Sequence, residues 1–316
     1  MAPLTVQAKS SGIKIIVNPG RKYWEQMERW YSETERWNMR PDEISVWAST
    51  YEKYWMFAGV DQETNEFVCS LSLGMQTTSD GEPLYSIGLF YCVPQKRGLG
   101  YGKPLFDAAM AHIGQSNATL YSAKEMSAWY ASKHGFNKLL SFWTCWAEVQ
   151  PLNLVLPEVS KQYDIKTTEE VDWDEIHDYD STICCVERED YLEESLTWEA
   201  TVSRVAVDSN GDVVGFGSLR FVSQNEIYAC PLYADNSTIA RDLLISMLST
   251  VTDLSSYSAF SLLFPEHNKS VLSIISELSK GRYKHYPIYR NQYLKKVLPV
   301  PWDKVYANDD VNHSIV

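Results

Sequence analysis

The sequence LYSIGLFYCVPQKRGLGYGKPLFDAAMAHI, residues 84–113, predicts a strand, a glycine-rich turn and a helix in direct succession. Tyr85 to Val93 is apolar and aromatic enough for a buried strand, and Pro94, which lacks a backbone donor, ends it. Apolar residues then recur at helical spacing from Leu105 to Ile113. We therefore predict a strand that stops at Pro94 and a helix that begins at about Gly102.

The turn between them has the composition of an anion site. Gly98, Gly100 and Gly102 let successive backbone N–H groups turn toward one point, and the N-terminus of the following helix adds partial positive charge. The chain has a formal net charge of −13, so a local excess of cations here is notable. Three cations flank the glycines: Lys96, Arg97 and Lys103.

Spacing distinguishes three kinds of phosphate-binding loop. A Walker loop requires a glycine at position 97 and Ser or Thr after the lysine, where this chain has Arg97 and Pro104. A dinucleotide fingerprint requires G-x-G-x-x-G, whereas these glycines are evenly spaced by two. The third pattern, Q-x-x-G-x-G, fits Gln95, Gly98 and Gly100.

This loop resembles that of the GNAT N-acetyltransferases, whose companion pattern P-x-x-R-G-x-G-x-G matches Pro94 to Gly102. The resemblance implies that the loop amides hold the pyrophosphate of coenzyme A and that the preceding strand pairs with its pantetheine arm. Acetyl-CoA is therefore the implied co-substrate. A glycine-rich turn that binds nothing is the alternative. The implied cofactor-binding residues are Tyr91, Cys92, Val93, Gln95, Lys96, Arg97, Gly98, Leu99, Gly100, Tyr101, Gly102 and Lys103.

Residues 129–136 resemble a second GNAT signature, in which a tyrosine shortly before Gly-Phe protonates the departing thiolate of coenzyme A. The usual spacing puts that tyrosine four positions before Gly135, where this chain has Ala131, whereas Tyr130 stands five before. Either the helix geometry shifts by one residue and Tyr130 is the acid, or the acid is supplied elsewhere. Packing of a helix tyrosine on the sheet is the alternative role for Tyr130.

The general base is not visible in the sequence. Glu82 and Tyr85 are the candidates that we retain, and Asp80 and Glu125 are further possibilities. Each of the four also has an ordinary role as a solvated loop or strand residue.

Tryptophans crowd the region before the central strand. An aromatic wall for an acceptor substrate is one interpretation, and core packing of amphipathic helices is the interpretation that we favour for most of them. They are Trp24, Trp30, Trp37, Trp47 and Trp55.

The length and composition of the chain indicate a folded protein of two domains. A length of 316 residues exceeds one compact core, and 45% hydrophobic content suits a globular protein. A pI near 5.0 argues against nucleic-acid binding. The absence of a signal core and of any apolar run long enough to span a bilayer argues for a cytoplasmic location without a membrane partner. Six cysteines without C-x-x-C and six histidines without metal spacing indicate reduced thiols and no metal site.

The order of elements recurs after about position 165, which predicts two tandem copies of one domain. The second copy has Leu232 to Ser237 in place of the glycine loop, so we expect helix capping there and no ordinary coenzyme A site. P-L-Y-A-D at 231–235, with Asp180 and Arg188, resembles the YitH-type C-terminal GNAT-like domain, which is also found in an expanded nematode family.

The predicted fold class is α/β (α+β), with two tandem GNAT-like domains, each a twisted mixed sheet flanked by helices. The predicted boundaries are a tail at 1–12, the acetyl-CoA-binding domain at 13–150, a connector at 151–165, the degenerate domain at 166–300 and a tail at 301–316.

The function that the resemblance implies is transfer of an acetyl group from acetyl-CoA to a primary amine of a small molecule, by direct attack on the thioester. A peptide or protein acceptor is the alternative within the enzyme class. The shifted tyrosine and the degenerate second copy also leave open a non-catalytic module that binds acyl-CoA. The sequence does not predict the oligomeric state.

Overall fold

The computed structural model describes residues 4–7, 12–37, 39 and 42–313, and these form one continuous twisted sheet flanked by helices. The strands of this part of the chain are β1 (Leu4–Gln7), β2 (Ile13–Val17), β3 (Lys53–Asp61), β4 (Phe67–Thr77), β5 (Pro83–Cys92), β6 (Asn117–Ala123), β7 (Lys138–Leu139), β8 (Thr144–Val149), β9 (Asp164–Lys166), β10 (Thr201–Val207), β11 (Val213–Val222), β12 (Glu226–Ala234), β13 (Ala259–Pro265), β14 (Tyr283–Tyr293) and β15 (Val305–Ala307).

The helices on its faces are α1 (Arg21–Trp30), α2 (Glu43–Thr50), α3 (Gly102–Ile113), α4 (Ser127–His134), α5 (Trp173–Ser181), α6 (Glu189–Thr197), α7 (Ser237–Ser249) and α8 (Ser270–Ser279). A π-helical turn, Tyr31–Glu35, extends α1. No helix among the described residues is both long and apolar enough to cross a bilayer.

The predicted unit around the glycine loop is confirmed. Strand β5 ends at Cys92, a 3-10 turn follows at Pro94–Lys96, and α3 begins at Gly102. Before it in the chain, β3 and β4 pair antiparallel as a hairpin. Helices α3 and α4 cover one face of this half, and α1 and α2 cover the other.

The predicted repeat is confirmed in the order of elements. The series β3, β4, β5, α3, β6, α4 of the first half recurs as β10, β11, β12, α7, β13, α8 in the second. In both series, two antiparallel pairs lead to one parallel pair, β5 with β6 and β12 with β13. The helix between the parallel strands covers the same kind of core in each half.

The two halves exchange their last strands. Strand β8 of the first half pairs with β13 of the second, while β14 of the second half lies between β6 and β8. Both neighbours of strand β8 therefore belong to the second half. The strand exists, but its partners come from residues more than a hundred positions later, which no local pattern encodes.

Both predicted tails contain ordered structure. Strand β1 pairs antiparallel with β2, although residues 1–3 and 8–11 lie outside the described part of the chain. At the other end, β15 pairs with β12, and the segment 305–310 is buried. Residues 305–310 of the predicted tail at 301–316 are therefore part of the fold, since they are buried and Asp309 pairs with Arg188 and Arg220. Residues 314–316 are not described.

Candidate functional site

A bulge in β5 opens the sheet of the first half. Ser72 pairs with Gly88 and Ser70 pairs with Tyr91, so Leu89 and Phe90 stand opposite a single residue of β4. Leu89 has a φ of 46°, a left-handed value that is uncommon outside glycine. The parallel pairing of β5 with β6 stops just before the bulge, at Ile87 and Leu120. Beyond that point the two strands diverge and leave a groove.

The groove contains a cavity of about 110 Å³, which we call the groove cavity. Both diverging strands line it, together with α4 and the C-terminal segment. Its lining residues are Trp37, Ile87, Gly88, Leu89, Phe90, Leu120, Tyr121, Ala123, Met126, Tyr130, Tyr289, Val311 and Asn312.

The glycine loop lies beside this groove, because Gly102 at the start of α3 is packed against the ring of Phe90. A side-chain carbon on Gly102 would stand 2.8 Å from that ring. Gly98 and Gly100 have φ values of 76° and 83°, which only glycine adopts at low cost. Within the described residues, the backbone N–H groups of Gly98 through Gly102 have no backbone acceptor. The loop therefore presents donors of the kind that bind phosphate oxygens.

The cations of the loop already have partners. Arg97 Nε donates to the Cys92 carbonyl at 2.9 Å, and its guanidinium pairs with Glu35 and lies over the Tyr91 ring. Lys103 pairs with Asp107 at 2.5 Å. These side chains are about half exposed or more, and exposed pairs contribute little free energy, so a bound phosphate can compete for them.

The strand before the loop offers fewer free amides than the sequence predicts. Val93 N–H donates to the Val68 carbonyl at 2.9 Å, so this group is already engaged. Because successive amides of a strand point in opposite directions, the N–H of Cys92 faces the groove side. The Cys92 thiol is half buried, and burial raises its pKa, which keeps it protonated and disfavours a covalent acyl-cysteine.

Tyr130 lines the groove cavity and is 7% exposed. Burial raises the pKa of its phenol far above the usual value, so the group stays protonated at neutral pH. A protonated phenol in a groove is suited to donate a proton. The structure thus brings Tyr130 to the groove in spite of its shifted position in the sequence.

Glu82 and Tyr85 are not brought to this site. Glu82 is exposed in the turn before β5, and Tyr85 stacks on Trp55 with ring centroids 6.3 Å apart. Neither residue lines the groove cavity or the cavity beside it.

A second cavity of about 180 Å³ adjoins the first, and we call it the acidic cavity. The two share Trp37, Tyr289, Val311 and Asn312 as a common wall. Of the predicted tryptophan wall, Trp37 therefore faces both cavities, whereas Trp47 is core. The charged lining residues of the acidic cavity are Glu35, Arg36, Glu43, Glu148, Arg220, Glu226, Asp309 and Asp310.

Most of these carboxylates are paired with arginine. Arg220 reaches Glu43 at 3.1 Å and Asp309 at 2.7 Å, and Arg188 reaches Asp309 at 3.1 Å. Arg36 pairs with Glu226 at 3.1 Å. Sequence reasoning missed this network, because Asp309 belongs to a segment that reads as a polar tail.

Asp310 is different. Its Oδ1 accepts from the Asn312 N–H at 2.8 Å, but its buried Oδ2 has no hydrogen-bond partner within the described structure. Burial, and secondarily the charge of Glu43, raises the pKa of this carboxyl well above its usual range. A buried polar atom without a partner among the described residues is uncommon in folded proteins, and it makes this wall of the cavity a candidate binding position.

The corresponding groove of the second half is filled by the chain itself. Strands β12 and β13 pair from Glu226 to Ala229 and then diverge, and β15 pairs with β12 beyond that point. At the start of α7, the Asn236 side chain accepts from the amides of Thr238 and Ile239. The carboxylate of Asp235 binds Lys304 at 2.9 Å. The predicted capping role is confirmed, and an internal carboxylate stands near the helix N-terminus.

Within the described residues, no cluster of histidine, cysteine or acidic side chains has the arrangement of a metal site.

Comparison with known proteins identifies the fold. Residues 176–307, less than half of the chain, match the family model described as acetyltransferase (GNAT) domain. No curated protein matches the chain. A putative acetyltransferase from Pyrococcus horikoshii has a similar structure, with a TM-score of 0.71 and 14% identity over 98% of both chains.

Two further solved structures resemble the chain. A tandem GNAT protein from the clavulanic acid biosynthesis pathway has a TM-score of 0.59 and 13% identity, over 92% of this chain and 96% of its own. A GCN5-related N-acetyltransferase from Sphaerobacter thermophilus has a TM-score of 0.57 and 12% identity, over 94% and 97%. The chain has the GNAT fold in tandem, and the family match supports an acyltransferase. The narrower YitH-type and nematode resemblance stays a prediction.

Proposed function

We propose that the protein is an acetyl-CoA-dependent N-acetyltransferase that transfers an acetyl group to a primary amine of a small molecule by direct attack on the thioester. The cofactor site lies in the first half, with the loop from Gln95 to Lys103 at the pyrophosphate. The observation that carries this proposal is the groove that opens at the β5 bulge, with the glycine loop on one side and Tyr130 on the other.

The residues of the groove fit such a cofactor. The positions that side chains on Gly98 and Gly100 would occupy have no atom within 4 Å, so the loop is open to a ligand. Its unpaired amides are donors, as a pyrophosphate requires. By contrast, the matching position of the second half presents Asp235, whose charge repels phosphate.

Bound acetyl-CoA supplies a thioester that an amine attacks, with departure of the sulfur as a thiolate. On the protein side, Tyr130 is placed to donate its phenolic proton to that sulfur, because burial keeps the phenol protonated, and the proton that the amine nitrogen loses on forming the amide restores the phenol through solvent. The Cys92 amide, which points to the groove side of β5, is placed to donate to the acetyl carbonyl oxygen. The apolar walls at Leu89, Phe90 and Leu120 exclude water from the reacting groups.

Calorimetric titration with acetyl-CoA tests the cofactor site. The wild-type chain is expected to bind one molecule, and Gly98→Asp/Gly100→Asp is expected to weaken binding by about 100-fold or more, because two carboxylates then face the pyrophosphate. Gly98→Asn/Gly100→Asn is the matched control, since asparagine has the same size and tolerates a left-handed backbone without the charge. It should retain most of the affinity.

Equal loss of binding in the asparagine and aspartate variants would show backbone strain rather than charge repulsion. Absence of binding by the wild type would remove the proposal. Where binding is found, release of free thiol from acetyl-CoA is measured with a panel of small primary amines. Tight binding without thiol release from any of them would favour the non-catalytic acyl-CoA module.

A further inference from the structure

The described lining of the acidic cavity contains more acidic than basic side chains. Among the described residues, six carboxylates line it, against two arginines, Arg36 and Arg220. Two arginines that do not line the cavity also pair with its carboxylates: Arg97 pairs with Glu35, and Arg188 pairs with Asp309. Arg188 pairs in addition with Asp180, at 2.7 Å. In the described part of the chain, acidic side chains therefore outnumber arginines around a space that is partly buried.

Two of the carboxylates are not taken up by these arginines. Asp310 is 6% exposed, and its Oδ2 has no partner among the described residues. Glu148 is less buried and lies nearer the rim of the cavity. The exposed Lys284 stands opposite it where β8 pairs with β14, but none of the described ion pairs joins the two residues. Burial raises the pKa of Asp310 because its charge is costly without a partner, and an ammonium group from solution would favour the charged form.

The remaining walls are aromatic. Rings of this kind attract ammonium groups through their faces and pack against methylene chains. At 180 Å³ the cavity has room for roughly ten water-sized groups, when a single water needs about 10–15 Å³ of such space. The aromatic lining residues are Trp37, Trp146, Tyr228, Tyr286 and Tyr289.

We propose that the acidic cavity binds the acceptor as an amine with a second ammonium group, a diamine or longer polyamine, whose distal ammonium is held by Asp310. Carboxylates spaced among aromatic walls match ammonium groups spaced along a methylene chain. Because Trp37 and Tyr289 line both cavities, we place the other amine at the end of the acidic cavity that adjoins the groove cavity. The transfer step rests on the proposed function, whereas the binding of the diamine does not.

Three molecules with the same four-carbon chain test the proposal: 1,4-diaminobutane, n-butylamine and 4-aminobutanoate. Their binding to the full chain is measured by calorimetry. The diamine is expected to bind about ten- to a hundredfold more tightly than the monoamine, because it adds a hydrogen bond between charged groups. The amino acid, whose carboxylate would face Asp310, is expected to bind weakest. Equal affinity for diamine and monoamine, or a preference for the amino acid, would overturn the proposal.

Asp310→Asn keeps the shape of the side chain and the acceptor for Asn312 but removes the charge. It is expected to abolish the preference for the diamine, and Glu148→Gln, at the less buried rim, to reduce it about two- to fivefold. Glu158→Gln, an exposed change outside both cavities, should leave it unaltered. Should Asp310→Asn fail to fold, the proposal is still tested by the affinities of the wild type for the three amines and by the effect of Glu148→Gln on the preference for the diamine. A preference that survives in a folded Asp310→Asn variant would contradict the assignment.

Thiol release from acetyl-CoA with the same three amines separates the two proposals. Binding of the diamine without any thiol release would leave the cavity assignment standing and would remove the transferase. Turnover of n-butylamine or of a lysine peptide, with no advantage for the diamine in binding or in kcat/KM, would keep the transferase and remove the cavity assignment.

Discussion

The two halves of the chain share one order of strands and helices, but they differ in what occupies the groove between their parallel strands. In each, a strand with a shifted register pairs parallel to the next strand for four residues and then diverges from it. In the first half the space beyond is a cavity beside an open glycine loop. In the second half β15 lies there, and Asp235 with Lys304 stands near the helix N-terminus. Topology alone therefore does not decide whether a groove receives a cofactor.

The comparison also shows where a family resemblance resides. The family model matches residues 176–307, which is the half whose groove is filled. The features that fit acetyl-CoA lie in the other half. A sequence match can thus follow the framework of a domain, whereas the chemistry depends on a loop and a few side chains.

The largest expected effect comes from loosening the segment that fills the second groove. Asp309→Ala removes a carboxylate shared by Arg188 and Arg220, which are 3% and 4% exposed. Breaking such a buried pair costs about 3–5 kcal/mol, so the urea midpoint of unfolding should fall sharply. Asp253→Ala, at an exposed position, is the control. If Asp309→Ala loses little stability and binds a second molecule of acetyl-CoA, the second half can also bind the cofactor, and the proposed difference between the two halves is wrong.

The next effect concerns the open groove. Tyr130→Phe should lower kcat by about 100-fold, a typical contribution of one general acid, with little change in acetyl-CoA affinity. Helix α8, in the corresponding place of the second half, contains no tyrosine. Tyr85→Phe, which changes a ring outside both cavities, should alter kcat little. If the two variants behave alike, Tyr130 is not the acid.

A smaller effect links the halves through pH. His313 lies between Ser86 and Ser72 at 3.0 and 2.8 Å, and burial lowers its pKa from 6.5 to about 3. The unfolded chain then binds the extra proton between these values, so stability is complete above pH 6.5 and declines as the pH falls toward 3. The slope for one such group is up to about 1.4 kcal/mol per pH unit.

His313→Asn removes this titration and should flatten the dependence of the urea midpoint on pH in that window. An unchanged slope would show that other groups dominate acid unfolding. The wild type should show no contribution from His313 between pH 7 and 8.

The smallest effect concerns the loop of the second half. Asn236→Ala removes a helix cap and should cost about 1 kcal/mol of stability. Because we assign this loop a structural role, acetyl-CoA affinity should not change. A loss of affinity in calorimetry would mean that both loops contribute to the cofactor site.

Much of the first half could be predicted from sequence because its signals are local. The strand, the turn and α3 follow from the order of apolar residues, prolines and glycines within residues 84–113. The repeat was visible for the same reason. What escaped prediction depends on distant pairs: β14 enters between β6 and β8, and Asp309 is stabilised by arginines at 188 and 220. The sequence of a short polar segment near the C-terminus does not reveal that buried arginines elsewhere in the chain will pair with it.

For the site, the loop glycines and Tyr130 were within reach of sequence reasoning, and the acidic cavity was not. Its residues come from the end of the π-helical turn, α2, β8, β11, β12, β13, β14 and the C-terminal segment, and no spacing connects them. Glu82 and Tyr85, which we retained as candidate bases, line neither cavity.

The exchange of strands also affects the protein while it is being made. The sheet edge at β6 remains without its neighbour until the ribosome has added β14, since Ser122 and Arg290 are 168 residues apart. At about 5–20 residues per second, that interval lasts on the order of ten to thirty seconds. During that time the nascent first half exposes an unpaired strand, which is the kind of edge that other chains join. A chaperone that covers it would act before the second half exists.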